Sequence, residues 1–82
     1  MPLEQLREKI DRVDSRIIAL LEERVDLTKK IGEAKRKHNL PIEDQKREQE
    51  VMIKVTERSN KLNKGFVKKI FEQIIGYCKE NE

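Results

Sequence analysis

The 82-residue sequence has no tryptophan, one tyrosine, two phenylalanines, one cysteine, one histidine, two prolines and three glycines. Each scarcity excludes something. With Cys78 as the single thiol, no internal disulfide can form, and a reducing cytoplasm is the expected compartment. Aromatics at 4% leave few rings on which bases can stack, and no basic stripe or nucleic-acid motif accompanies the lysines and arginines. No run of about 18 apolar residues occurs, so no transmembrane helix is expected, and the opening MPLEQLREK lacks the apolar core of a secretory signal. His38 has no second histidine or nearby cysteine to share a metal with. A Gly-rich phosphate loop, a Ser/His/Asp set and a Cys/His pair are all missing. The expectation is a chain that holds no metal and binds neither nucleic acid nor membrane.

What is abundant is charge. Acidic and basic residues make up 43% of the chain, interspersed, with a net charge of +3. Few helix breakers and many charged residues favour an all-α fold with wet outer faces, and the length suits one domain spanning 1–82. The mild positive excess fits either an ordinary solvated surface or attraction of a small anion.

The longest organised stretch runs from Pro2 or Leu3 to about Lys37. Leu3, Leu6, Ile10, Val13, Ile17, Leu20, Arg24, Leu27, Ile31 and Ala34 follow one another at alternating spacings of three and four. That is the seam of a helix packed along its whole length against other helices. At about 1.5 Å per residue such a helix is on the order of 50 Å long, whereas a compact chain of this size has a radius of gyration of about 12 Å. The rest of the chain is too short to cover it, so a homodimer with helices packed across subunits is expected. Asn39 and Pro41 end this helix. A second helix is expected from about Asp44 to Ser59, with the stripe Asp44, Glu48, Val51, Met52, Val55 and Ser59. A third follows the N-cap Asn63 and carries Val67, Ile70, Phe71, Ile74, Ile75 and Cys78, with Glu82 extending the same face.

Polar residues on these apolar faces are the candidate functional groups. Arg24 stands where the seam calls for leucine, and a cation there is costly unless an anion meets it. Lys35 lies 11 residues on, three turns along and within about 20° of the same direction. A pocket among three helices can gather Arg24, Lys35, Glu48 and Glu82. The plainer alternatives are a buried Arg24–Glu48 pair, a solvated Lys35, a dipole-stabilised Asp44 and Glu48, and an uncommitted Glu82. Arg7, about 25 Å before Arg24 on the same helix, cannot share a small ligand with it except across an antiparallel dimer. Gly32 inside the first helix implies close packing of a neighbouring helix, and Cys78 reads as a small core residue.

The segments LREKIDRVDSRIIALLEERVDLTKKIGEAK (6–35), PIEDQKREQEV (41–51) and FVKKIFEQII (66–75) resemble the all-helical class of chorismate mutases. The ordered set Arg7, Arg24, Lys35, Asp44, Arg47 and Glu48 carries the likeness. The resemblance implies an intertwined homodimer of three helices per subunit and an isomerase that rearranges chorismate to prephenate on the route to phenylalanine and tyrosine. It implies no cofactor, because the pericyclic reaction needs only a folded dianion and stabilised charge on the breaking ether. By position, it implies that Arg24 and the Arg7 of the partner subunit bind the substrate carboxylates. Lys35 then meets a carboxylate and the ether oxygen, Glu48 and the backbone near Asp44 hold the ring hydroxyl, and Arg47 supports that end. Ile31 and Ile75 form apolar walls. Two positions depart from the common pattern. Glu82 falls where many bacterial members have a glutamine that donates to the ether oxygen, and a glutamate donates only when protonated, so activity is expected to fall as pH rises. Cys78 falls where some members have a serine near a carboxylate, and a thiol is a weaker donor. Two other readings stand beside this one: an isochorismate-pyruvate lyase of the same fold, and a non-catalytic helical dimerisation module.

Overall fold

The computed structural model describes residues 2–41 and 44–82. Among these it has three α-helices and no strand: α1, Leu3–Lys37; α2, Gln45–Arg58; and α3, Lys64–Glu80. Ile42 and Glu43, within the segment 41–51, lie outside the described residues.

The helix ends follow from local chemistry. α1 begins after Pro2, whose extended backbone and lack of an N–H suit the entry to a helix. It ends in a left-handed residue, Asn39, with φ 56°. The N–H of Asn39 donates to the Arg36 carbonyl at 3.2 Å and that of Leu40 to the Lys35 carbonyl at 2.7 Å, so two otherwise unpaired carbonyls are satisfied. Asp44 is not the first helical residue of α2 but its cap: Oδ1 accepts the Arg47 N–H at 3.0 Å. Ser59 likewise lies just past α2, where its Oγ accepts the N–H groups of Lys61 and Leu62 and shapes the turn. Asn63 caps α3 by accepting the Phe66 N–H at 3.1 Å.

α3 is the middle element. α2 packs on it along one side and α1 on another, while α1 and α2 do not pack on each other. The α3 stripe accordingly supplies the buried apolar residues, Val67 and Cys78, with Phe71, Ile74 and Ile75 half-buried. α2 offers Val51, Met52 and Val55 to it, all half-buried.

The seam of α1 is bare. Its apolar residues from Leu3 to Ile31 are between 42% and 63% exposed, and Gly32 is the one buried residue of the helix. Beside the seam, an apolar groove of about 460 Å³ opens between α1 and α3, lined by Ile18, Leu21, Val25, Ile74 and Tyr77. The chain measures 56 × 23 × 16 Å with a radius of gyration of 16.0 Å, well above the roughly 12 Å of a compact domain of this length. α1 is therefore a rod, with α3 packed on its C-terminal half and α2 facing that half across a cleft.

Because α3 joins the other two helices, its cap matters to the whole arrangement. Asn63→Ala removes the acceptor for the Phe66 N–H, and the expected loss of stability is about 1 kcal/mol. Chemical denaturation at fixed protein concentration measures it, and an unchanged midpoint would show that the cap contributes nothing.

Candidate active site

The sheltered half of α1 faces the first turn of α2 and the last turn of α3, and the three surround a cleft of about 280 Å³. α1 contributes Arg24, Leu27, Thr28, Ile31 and Lys35 to its lining, at the spacing that keeps residues on one helical face. α2 contributes Asp44, Arg47, Glu48 and Val51, and α3 contributes Ile75, Cys78, Lys79 and Glu82. Of the residues expected in one chain's site, Arg24, Lys35, Asp44, Arg47, Glu48, Cys78, Glu82, Ile31 and Ile75 are all brought together. Arg7 is exposed in the second turn of α1, outside this cleft.

The pairings within the cleft differ from the simplest expectation. Arg24 does not pair with Glu48. Its Nη1 donates to Cys78 Sγ at 3.0 Å, while Glu48 Oε1 lies 3.2 Å from Lys79 Nζ. The cause is helix order: α3 lies between α1 and α2, so its residues reach Arg24 and Glu48 first. Cys78, 3% exposed, is both a core residue and the acceptor that fixes the Arg24 guanidinium. Thr28 Oγ1 donates to the Arg24 carbonyl at 2.8 Å, which turns its hydroxyl back onto α1.

At the other end of the cleft, Lys35 Nζ is 3.4 Å from Glu82 Oε1, and their side chains are 21% and 8% exposed. Glu82 is thus seated rather than loose. Arg36 Nη1 donates to its main-chain oxygen at 3.1 Å. Gly32 underlies the same residue, so the close neighbour expected at this glycine is Glu82 and not a passing helix. Arg47 lies on the rim, its exposed guanidinium 3.8 Å from Glu50 Oε2.

Lys79 and Arg36 were not singled out by sequence pattern. Lys79 does fall on the α3 stripe, since Ile75, Cys78, Lys79 and Glu82 are spaced i, i+3, i+4 and i+7. A lysine in the last turn of a helix also has an ordinary explanation in the helix dipole, which hides the signal.

The lining defines what the cleft can hold. Leu27, Ile31, Val51 and Ile75 form apolar walls, with cations toward either end and carboxylates beside them. A compact ligand with an apolar ring and negative groups at its ends matches this distribution. Cys78 is held by Arg24, and His38 lies at the far end of α1 as its C-cap, so among the described residues no histidine stands beside the thiol. The groups present suit binding, orientation and charge stabilisation.

Comparison with known proteins places this geometry. The family model described as chorismate mutase type II matches residues 6–82. A bifunctional chorismate mutase/prephenate dehydratase of Aquifex aeolicus is 40% identical over 81 residues, covering 93% of this chain and 22% of its own length. The chain thus spans about a fifth of the length of such bifunctional relatives. A chorismate mutase of Methanocaldococcus jannaschii is 30% identical over 79 residues, covering 94% of this chain and 80% of its own length. Among solved structures, chorismate mutase (form I) from Thermus thermophilus superposes with a TM-score of 0.88 at 31% identity, covering 93% of this chain and 96% of that one.

Proposed function

The chain belongs to the chorismate mutase type II family, and we propose that residues 1–82 act as one domain that rearranges chorismate to prephenate in the cleft between α1, α2 and α3. The observation that carries this reading is the juxtaposition of Arg24 and Lys35 across an apolar wall, with Glu48 and Glu82 at the same cleft. Chorismate is a dianion with a ring hydroxyl. In the rearrangement its ether carbon–oxygen bond breaks as the enolpyruvyl carbon bonds to the ring, and negative charge develops on the ether oxygen.

Arg24 binds a substrate carboxylate, and its contact with Cys78 fixes the guanidinium before the ligand arrives, which lowers the ordering cost of binding. Lys35 exchanges its partner Glu82 for a substrate carboxylate and for the ether oxygen, where its charge stabilises the transition state more than the ground state. Glu82, in its acid form, donates to the same oxygen. Glu48 accepts from the ring hydroxyl, and the backbone near Asp44 holds the same group. Arg47 supports that rim. Ile31 and Ile75 press the ring toward the reactive chair.

Arg7 enters through a second subunit. The bare α1 seam and the groove beside it are buried when two chains lie antiparallel, and the N-terminal part of one α1 then crosses the middle of the other. Arg7 of the partner subunit closes the cleft and meets the second carboxylate. Nothing in the described helices is long and apolar enough to cross a membrane, and the single free thiol suits a reducing cytoplasm.

Three outcomes test these roles. Purified protein should consume chorismate with saturation and yield prephenate, and Arg24→Ala or Lys35→Ala should lower kcat/KM by about 100-fold or more, the loss of one charge-assisted contact in the transition state. Salicylate and pyruvate from isochorismate, with no prephenate from chorismate, would instead identify a lyase. Mixing inactive Arg7→Ala and Arg24→Ala subunits should restore about one quarter of wild-type activity, since half the dimers are hybrids and each hybrid has one intact site. No recovery, with hybrid dimers verified by mass, would remove Arg7 from the partner's site. Finally, Glu82→Gln, which keeps a hydrogen-bond donor for the ether oxygen, should retain or raise kcat, whereas Glu82→Ala should lower it. Wild-type kcat in Glu82→Ala would rule out the donor role.

A further inference from the structure

Gly32 and Arg36 line no part of the cleft, yet both hold Glu82. A Cβ at position 32 would stand 2.9 Å from Glu82 Cγ, 3.1 Å from its main-chain carbon and 3.2 Å from its main-chain oxygen. At 2.9 Å Cγ has to shift, and the main-chain carbon and oxygen have to give by a few tenths of an ångström. Alanine is also the better helix former, so a glycine in the middle of α1 is favoured only by what lies against it. One turn further along, Arg36 donates to the Glu82 main-chain oxygen at 3.1 Å. Between them Lys35 meets the Glu82 carboxylate at 3.4 Å. Residues 32, 35 and 36 share one face of α1, and together they fix a residue that lies beyond the last helical residue of α3, Glu80. The Glu82 side chain is 8% exposed as a result.

From this geometry we infer that Gly32 and Arg36 are positioning residues: Gly32 provides the bare backbone on which Glu82 rests, and Arg36 anchors its main chain, so that the Glu82 carboxyl is held at the reacting end of the cleft beside Lys35. This rests on the reading that Glu82 donates to the ether oxygen. Gly32→Ala displaces Glu82 Cγ and with it the carboxyl. Arg36→Met releases the main chain without adding bulk. Neither change touches the groups that bind the substrate carboxylates, so the loss falls on kcat and leaves KM close to its original value.

The experiment measures kcat and KM for chorismate in the wild type and in Gly32→Ala, Arg36→Met, Arg36→Lys, Glu82→Ala and the double variant Gly32→Ala/Glu82→Ala. The expected result is a fall in kcat of about tenfold or more for Gly32→Ala and Arg36→Met, since misplacement by about 1 Å can cost up to a hundredfold. Arg36→Lys, which keeps a donor, recovers most of it. Gly32→Ala adds nothing once Glu82→Ala has removed the carboxyl. Arg36 is exposed, so Arg36→Met reports even if Gly32→Ala fails to fold. Wild-type kcat in Gly32→Ala and Arg36→Met beside an impaired Glu82→Ala overturns the positioning role, as does an equal fall from Gly32→Ala with and without Glu82. Wild-type kcat in Glu82→Ala overturns the donor reading itself.

Discussion

The length of α1 sets the terms for the rest of the molecule. A 35-residue helix with an apolar seam along it presents far more surface than two helices of 14 and 17 residues can cover. α3 packs on its C-terminal half only, with α2 beyond, and the N-terminal half stays exposed. The hydrophobic effect makes that exposure unfavourable by about 25 cal/mol for each Å² of apolar surface. The same geometry leaves the seam open along the N-terminal half of the rod, away from the cleft.

Within the cleft, charge is managed by pairing rather than by exclusion. Arg24 rests on Cys78, Lys35 on Glu82, and Lys79 on Glu48. For Lys35 and Lys79 the partner is a carboxylate, and a cation so paired costs less to hold in a half-buried site than a bare one. All six of these residues line the cleft, so each cation there is already held by a neighbour.

Much of this was legible in the sequence because the informative residues violate their own surroundings. Arg24 interrupts an otherwise unbroken apolar seam, and that anomaly led directly to the cleft. The α1 boundaries were legible from Pro2, Asn39 and Pro41, and Asn63 announced the start of α3. Pairing was not legible. Which carboxylate or thiol meets Arg24 depends on which helix lies in the middle, and periodicity fixes only which way each face points. Lys79 and Arg36 were hidden for another reason: a cation in the last turn of a helix is ordinary, and only its neighbours in three dimensions give it a role. Gly32 signalled a close approach without naming the visitor: Glu82 extends the α3 face but lies past the last helical residue, so periodicity alone does not say what it rests on.

The polar groups of the cleft come from helix ends. Asp44 caps α2 and Glu48 sits in its first turn, Lys79 lies in the last turn of α3, Glu82 lies beyond it, and Lys35 belongs to the final turn of α1. Terminal turns have the fewest internal hydrogen bonds and are the first parts of a helix to fray. The cleft is thus assembled where the scaffold is softest, while Arg24 and Thr28 stand on an uninterrupted stretch of helix. An anion that bridges Arg24, Lys35 and the α2 end would stitch three fraying termini to the rigid middle of the rod. Occupancy of the site would then be written into the order of the whole C-terminal half of the bundle, so that the ligand serves as a structural part of the fold it enters.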